Sequence, residues 1–267
     1  MTTPAELDRG DAIAALGDEL LAAYQTKVPV APLRGRVPGM TLADAYAVQE
    51  HQLRRHLVAG RVLAGRKVGL TSLAMQAQLG VDSPDFGFFF EDMVHHEEAR
   101  IRAGSFIAPK VEPEFGFVLK ETLRGPGVTR DEAAAAIGEV YAAIEIIDSR
   151  VANWDIKLVD TVADNASCGA IAVGTSPLDV AVEELAGTEC TLRINGAAKG
   201  AGTGAAVMGD PVAPLAWLAN VLGNEGVLLE KGQLVLPGSF TGAQPVIAGE
   251  SATADFGHLG SLTIHFV

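Results

Sequence analysis

Three glutamates are the residues of this chain best suited to bind a divalent cation. Glu112 and Glu114 lie two residues apart in the run KVEPEFGFVL, and Glu145 lies in the apolar run AAIEIID. Side chains of an extended segment alternate between its two faces, so Glu112 and Glu114 point the same way. The alternative interpretation is that this pair forms the wet side of an ordinary amphipathic strand.

Glu145 favours the metal interpretation. Its neighbours are Ile144, Ile146 and Ile147, and the run AAIEIID contains no basic residue. An isolated ionised carboxylate in such surroundings costs on the order of several kcal/mol unless it is paired or bound to a metal. Carboxylate oxygens suit a hard ion such as Mg²⁺ or Mn²⁺, whereas the His and Cys ligands that zinc favours are absent from both segments.

Further polar residues are candidates for the same site, each with a simpler alternative. Lys67, in RKVGLTS, stands where a predicted strand meets a helix, and backbone N–H groups there could bind an anion. The alternative is a solvated lysine. Asp85, in SPDFGFFF, either reaches a pocket wall or ends a loop. The segment DTVADNASCG forms either part of a site or an Asx-type turn, and its polar residues are Asp160, Asp164, Asn165 and Ser167.

Composition and charge exclude several classes of protein. The chain has 267 residues, a net charge of −13 and a pI near 4.8. Nucleic acids and anionic membranes attract clustered Lys and Arg, so neither is an expected partner. The apolar runs are shorter than the roughly 20 residues of a membrane span, and the N-terminus is acidic where a signal peptide would be basic. We therefore expect a cytoplasmic protein, with Cys168 and Cys190 as reduced packing residues.

Capping residues and alternation predict a helical part followed by a strand-rich part. The predicted helices begin at Thr3 to Glu6, at Thr41 with Asp44 (ending at Gly60), at Thr71 or Ser72 (through Leu79), at Thr129 with Glu132 (running toward Val140) and at Asp210 (ending near Gly223). Strands dominate after residue 65, and consecutive strands with few helices do not build a doubly wound sheet. We predict an α+β fold with a helical region over 1–65 and a β-rich catalytic domain over 66–267.

The glycine-rich segment 196–209 does not predict a nucleotide site. Its spacing differs from the G-x-G-x-x-G fingerprint, and it does not lead from a strand into a helix. Asn195 and Gly196 instead predict a hairpin turn.

Six motifs in this order carry a resemblance to a known family: KVGLTS, GVDSPDFGFFFEDM, KVEPEFGFVL, LRGPGVT, EIIDSR and DTVADNASCG. They resemble the 2-keto-4-pentenoate hydratase and 4-oxalocrotonate decarboxylase group of the fumarylacetoacetate hydrolase superfamily, over nearly the whole chain. The resemblance implies a mixed β-sandwich or β-roll. It also implies Mg²⁺ or Mn²⁺ on three glutamates, which fall here on Glu112, Glu114 and Glu145.

The resemblance also implies roles for other residues. Lys67 would support the substrate carboxylate or O2 and take part in proton transfer, and Asp85 would be the acid/base or water-positioning group. The substrate-binding residues that it implies are Leu70, Asp164, Asn165 and Ser167. Pro113 stands where the family more often has a small residue, but Glu112 and Glu114 on either side of it still point to the same face of the strand.

The resemblance implies a hydratase that adds water to 2-hydroxypenta-2,4-dienoate, or to a longer alkyl analogue, in the meta-cleavage catabolism of aromatic or steroid rings. The main alternative is a 2-oxo-3-hexenedioate decarboxylase, in which we expect an apolar run such as NFKFDL before the ADN motif. This chain has NWDIKLVDTVADN, and its Lys157 and Asp160 favour the hydratase.

Two remoter alternatives and the partners complete the expectations. An acylpyruvate hydrolase would need a Glu-His arrangement near the N-terminal side, and His51 and His56 lie on an early helix. A catalytically inactive partner subunit is the last alternative. The resemblance further implies a homo-oligomer, associated with the downstream aldolase or with a sister decarboxylase.

Overall fold

The computed structural model describes residues 4–72, 76 and 83–267, and side chains from residue 9 onward. Its α-helices are α1 (Pro4–Thr26), α2 (Leu42–Val58), α3 (Arg130–Ala136), α4 (Leu158–Ala163) and α5 (Val212–Asn224). Its strands are β1 (Leu63–Gly69), β2 (Asp85–Phe90), β3 (Val94–His96), β4 (Arg100–Ile101), β5 (Lys110–Leu119), β6 (Ile137–Ile147), β7 (Cys168–Val173), β8 (Glu189–Ile194), β9 (Ala197–Thr203), β10 (Leu234–Leu236), β11 (Gln244–Pro245), β12 (Ser251–Asp255) and β13 (Ser261–Phe266).

The strands form two mixed sheets. The first has eight strands, in the order β2-β1-β10-β5-β6-β7-β3 with β11 paired to β5, and the second has five, in the order β4-β13-β12-β8-β9. The β1–β10, β3–β7 and β4–β13 pairs are parallel, and the other pairs are antiparallel. Helices at the N-terminal end and two mixed sheets confirm the predicted α+β class.

A core of apolar side chains lies between the two sheets. Phe115 of β5 contacts Phe240 and Phe256, with ring centroids 4.8 Å and 5.5 Å away. Ile264 of β13 belongs to the same buried cluster. Because side chains alternate along β5, Glu112 and Glu114 point away from Phe115, to the opposite face of the first sheet. That face carries the candidate site.

The N-terminal helices pack against α4 and against the segment that precedes it. Leu20 of α1 and Val48 of α2 share a buried cluster with Val151 and Val162. The predicted start of α2 is confirmed, because the Thr41 hydroxyl accepts a hydrogen bond from the Asp44 backbone N–H at 3.2 Å and the Asp44 carboxylate accepts one from the Thr41 N–H. Across the described ranges, we find no helix with the length and apolar character needed to span a bilayer.

The structure bears differently on the other predicted boundaries. The hairpin at Asn195 and Gly196 is confirmed. The helix predicted from Asp210 begins at Val212, after Pro211, and the Asp210 carboxylate accepts a hydrogen bond from the Val212 N–H at 2.9 Å. The helix after Thr129 is shorter than predicted: it ends at Ala136, because pairing with β5 begins at Ile137. Thr3, the side chain of Glu6 and most of the helix predicted up to Leu79 lie outside what the structure describes.

The division at residue 65 stays a prediction. Strand β1 begins at Leu63, and one buried cluster contains residues from both sides of the proposed boundary. The two parts therefore share a core.

Asp160 of α4 connects the helical N-terminal part to the segment that leads into the candidate site. Its side chain is fully buried and accepts hydrogen bonds from the backbone N–H groups of Leu33 at 2.7 Å, Arg34 at 2.8 Å and Lys157 at 2.8 Å. The Arg34 guanidinium donates another at 2.6 Å. Every one of these partners is a donor, so the position requires a carboxylate.

Replacing Asp160 with Asn is expected to lower the free energy of unfolding by about 2–4 kcal/mol, because an amide N–H₂ would face N–H donors in a buried place. Urea unfolding followed by circular dichroism measures the change. Asp155→Asn is the matched control, since Asp155 contacts the same Arg34 from a side chain that is 59% exposed. A change of about 0.5 kcal/mol or less is expected there, and equal losses in both variants would contradict the role of Asp160.

Candidate active site

The pairing of β5 with β6 brings the three glutamates together. Glu112 and Glu145 are direct cross-strand partners, and Glu114 follows on the same face of β5. One carboxylate oxygen from each of the three lies within 4.8 Å of the other two. Pro113 between them turns away from this face, and its carbonyl accepts a hydrogen bond from the Phe240 N–H at 3.0 Å.

Burial makes this cluster electrostatically costly. Glu114 and Glu145 are each only 1% exposed, and Glu112 is partly open to the cavity. Burial raises the pKa of all three carboxyl groups, that of Glu112 to about 7, and for Glu112 and Glu114 the neighbouring carboxylates raise it further. The cluster therefore requires positive charge in order to stay ionised.

Lys67 supplies part of that charge. Its Nζ lies 3.3 Å from Glu145 Oε1, inside the first sheet. Burial acts to lower the pKa of Lys67, but the charges of Glu145 and Asp85 outweigh it and raise the pKa above its usual value. Burial raises the pKa of Asp85, and the Lys67 ammonium acts in the opposite direction. The sequence distance between Lys67 and Glu145 hid this contact from sequence reasoning.

Two glycines leave room for these groups. A Cβ on Gly69 would lie 2.3 Å from Asp85 Oδ1 and 3.2 Å from Lys67 Nζ, so the residue opposite Asp85 in β1 has to be small. The Gly238 N–H donates to Glu114 Oε2 at 2.8 Å, and Gly238 has a φ of +131° that favours glycine. Sequence analysis missed Gly238, although the Pro-Gly pair in LPGSF is a turn signal.

The donor set fits a divalent cation. Within the described part of the chain, Asp85 Oδ1 is a buried oxygen that accepts no hydrogen bond, and Glu145 Oε1 is buried with the Lys67 ammonium 3.3 Å away. The cavity lining includes four carboxyl groups, those of Asp85, Glu112, Glu114 and Glu145, and the Lys67 ammonium pairs with one of them, Glu145. Three converging carboxylates with oxygens to spare are the ligands that hard ions such as Mg²⁺, Mn²⁺ and Ca²⁺ take. The arrangement can thus hold a divalent metal at the base of a cavity.

The cavity above the glutamates has a volume of about 590 Å³. Its walls come from the end of β1, from the segment Trp154–Lys157, from the turn before β7 and from residues 239–243. Lys110 and Trp154 stand at one wall, with the Lys110 Nζ 4.0 Å from the centre of the Trp154 ring. Neither residue was predicted as part of the site, although alternation places Lys110 on the same face of β5 as Glu112 and Glu114.

The predicted substrate-binding residues divide into two groups. Leu70 and Ser167 line the cavity. Asp164 and Asn165 are absent from that lining, and their side chains bind other parts of the protein. The Asp164 carboxylate accepts from Arg150 Nε at 2.5 Å, and the Asn165 amide exchanges two hydrogen bonds of 2.8 Å with the Phe88 backbone.

The two residues that favoured a polar pocket also divide. Lys157 lines the cavity, whereas Asp160 is absent from its lining because its carboxylate is occupied by backbone donors and Arg34. Of the two residues that favoured the hydratase over the decarboxylase, only Lys157 therefore contributes to the polarity of this cavity.

A slightly larger cavity, of about 670 Å³, lies at the second sheet. Acidic side chains such as Asp179, Glu184 and Asp255 line it. Among the described residues, the only set of three groups placed to share a metal is Glu112, Glu114 and Glu145. The chemistry is therefore assigned to the smaller cavity.

Comparison with known proteins agrees with this geometry. The chain is 39% identical over 252 residues to 2-hydroxyhexa-2,4-dienoate hydratase of Comamonas testosteroni, covering 94% of this chain and 96% of that protein. It is 40% identical over 263 residues to the TodF product hydratase of Pseudomonas putida, covering 98% of both. These relatives span almost the full length of the chain.

A solved structure and a family match complete the comparison. The 4-oxalocrotonate decarboxylase from Pseudomonas putida G7, complexed with magnesium and adipate, superposes with a TM-score of 0.92 at 34% identity, covering 96% of this chain and 98% of that one. The same decarboxylase has also been solved with calcium and acetate. Residues 64–267 match the family described as fumarylacetoacetate (FAA) hydrolase, C-terminal. The chain therefore belongs to the fumarylacetoacetate hydrolase family.

Proposed function

We propose that this protein is a metal-dependent hydratase that adds water to 2-hydroxypenta-2,4-dienoate or a longer alkyl analogue, giving a 4-hydroxy-2-oxo acid. The observation that carries the proposal is the identity of 39–40% with two hydratases over 94–98% of the chain. The buried glutamates with Lys67 beside them support it, because such a site can stabilise negative charge on a 2-oxo acid.

Glu112, Glu114 and Glu145 would hold Mg²⁺ or Mn²⁺. When bound, the ion would supply Lewis-acid stabilisation of charge on the substrate carboxylate and O2. Carboxylate ligands on two adjacent strands hold the site in a fixed geometry, which suits the strict coordination that Mg²⁺ demands.

Lys67 and Asp85 would act on the substrate directly. The dienol first ketonises, losing its O2 proton and gaining one at C5, and the product is a conjugated 2-oxo-3-enoate whose C4 is electrophilic. Water then adds across C3 and C4, with its oxygen at C4. The Lys67 ammonium would stabilise the charge on O2, and the Asp85 Oδ1, which accepts no hydrogen bond within the described residues, would position water or exchange a proton.

A decarboxylase of 2-oxo-3-hexenedioate is the second candidate. The superposition on 4-oxalocrotonate decarboxylase, at 34% identity, favours it, and the same charge stabilisation at O2 would assist loss of CO₂. Lys157 at the cavity wall favours the hydratase.

The remoter alternatives find less support. For acylpyruvate hydrolysis, His51 faces Asp18 at 2.9 Å and His56 contacts Arg61, and neither histidine lines the cavity. An inactive partner would have no need of the assembled Lys67, Asp85 and three glutamates. A cytoplasmic location, a homo-oligomer and association with an aldolase or a sister decarboxylase stay predictions.

Replacing Glu145 with Gln is expected to weaken Mn²⁺ binding by about 100-fold or more, because a neutral amide replaces a ligand at the centre of the cluster. Isothermal titration calorimetry with Mn²⁺ measures this directly, without any assay of turnover. Glu139→Gln is the matched control, since Glu139 lies on the same strand with an exposed side chain. If Glu145→Gln bound Mn²⁺ as tightly as the unmodified protein, the metal assignment would be wrong.

Replacing Lys67 with Met is expected to reduce kcat/KM for the dienoate by about 100- to 1000-fold, because the charge that develops on O2 loses its ammonium partner. Steady-state kinetics with saturating Mg²⁺ provide the measurement, and Mn²⁺ titration checks that the metal still binds. Lys199→Met, on the exposed face of β9, is the control and should leave turnover unchanged. Full activity of Lys67→Met would remove Lys67 from the mechanism.

The reaction itself is decided by two substrates assayed side by side. We expect Mg²⁺-dependent loss of dienoate absorbance with 2-hydroxypenta-2,4-dienoate, no loss in the presence of EDTA, and no CO₂ from 2-oxo-3-hexenedioate. Release of CO₂ from the second compound, with the first left unchanged, would establish the decarboxylase instead. Mass spectrometry of the product, which should gain one water, distinguishes hydration from isomerisation.

A further inference from the structure

The turn that carries Ser167 into the cavity has an unusual backbone. Asn165, Ala166 and Ser167 have φ values of +53°, +48° and +53°, so three consecutive residues other than glycine are in the left-handed region. Such residues persist only where their surroundings hold them. Ala166 and Ser167 line the cavity, so what holds the turn also determines where the Ser167 hydroxyl stands.

Arg150 binds the chain on both sides of this turn. Its Nε donates to the Asp164 carboxylate at 2.5 Å, and one terminal nitrogen donates to the Cys168 carbonyl at 2.9 Å. The guanidinium also donates to the carbonyls of Asp164 and Asp148. Asp164 immediately precedes the turn and Cys168 immediately follows it, so a single side chain fixes both of its ends.

The surroundings of Arg150 show that this contact is built into the interior. Arg150 is 1% exposed, and its guanidinium stacks 4.1 Å from the ring centre of Tyr24 in α1. The Tyr24 hydroxyl donates to the same Cys168 carbonyl at 3.3 Å. A buried ion pair stabilises a fold weakly, and its better-attested use is to specify one geometry. Here the specified geometry is that of a turn in the cavity wall.

We propose that Arg150 is a positioning residue of the active site, which sets the place of the Ser167 hydroxyl by fixing the two ends of the turn 165–167. The inference rests on the proposed function, because it assumes that Ser167 meets the substrate. It also gives Asp164 a new role: the carboxylate holds Arg150 and does not contact the substrate. Lysine cannot replace Arg150, because an ammonium on a flexible stem cannot reproduce the planar fork that reaches both ends of the turn.

The test is a double-mutant cycle between Arg150→Lys and Ser167→Ala. Arg150→Lys alone is expected to reduce kcat about 30- to 100-fold, as misplacement of a cavity group does, while Mn²⁺ affinity stays within about 3-fold. In the Ser167→Ala background, Arg150→Lys should reduce kcat by less than about 3-fold, because its effect on kcat passes through Ser167. Arg34→Lys is the control: Arg34 pairs with Asp160 of α4 away from the cavity, and turnover should be unchanged.

Three outcomes would overturn the inference. The first is an equal loss of kcat from Arg150→Lys with Ser167 present and in the Ser167→Ala background. The second is a loss of Mn²⁺ binding that parallels the loss of kcat, and the third is a matching loss of kcat in Arg34→Lys. If Arg150→Lys does not fold, Tyr24→Phe decides, since it keeps the ring and removes one bond to Cys168. We expect Tyr24→Phe to lower kcat by about 3- to 10-fold, and we expect this reduction to disappear in the Ser167→Ala background. An unchanged kcat in Tyr24→Phe would overturn the inference.

Failure of the proposed function has a different signature. In that case the unmodified protein shows no Mg²⁺-dependent hydration of the dienoate. An active unmodified protein with an equally active Arg150→Lys variant contradicts only the role of Arg150.

Discussion

The burial of three carboxylates side by side is the constraint on which the rest of this structure depends. Like charges removed from water repel each other and lose hydration, so such a cluster exists only if the fold holds it in place and supplies positive charge. Lys67 supplies one charge from β1, and a divalent ion held by the three glutamates would supply more. The close approach at Gly69 and the N–H donated by Gly238 serve the same cluster.

Two kinds of support therefore surround the cavity. The carboxylates stand on β5 and β6, the longest strands described, whose other face packs into the aromatic core around Phe115. Other residues of the cavity wall stand on turns and irregular segments, among them Ser167 and Trp154. The carboxylates are held by regular structure, whereas part of the cavity wall is backbone in less usual conformations that buried polar contacts keep in place.

Sequence reasoning reached the charged half of the site and missed much of the rest. Period-two alternation places Glu112 and Glu114 on one face, and an apolar run makes Glu145 conspicuous, so local patterns were sufficient there. The contact between Lys67 and Glu145 depends on the order of strands in a sheet, which local patterns do not encode. Local patterns do not distinguish a turn residue that serves the interior from one that meets a ligand, and so they do not show that Asp164 binds Arg150 of the motif EIIDSR. The end of α3 was misplaced because sheet pairing takes over from helix propensity at Ile137.

The cross-strand pairing of Glu112 with Glu145 has a consequence for insertions and deletions. Removing one residue from the first half of β5 would turn a glutamate toward Phe240 and Phe256 and turn an apolar side chain toward the cavity, because alternation has a period of two. The register between β5 and β6 ends at Leu119 and Ile137, so a change of length within the connection 121–135 leaves it unaltered. Homologous chains should therefore vary in length between β5 and β6 while both strands keep their residue count.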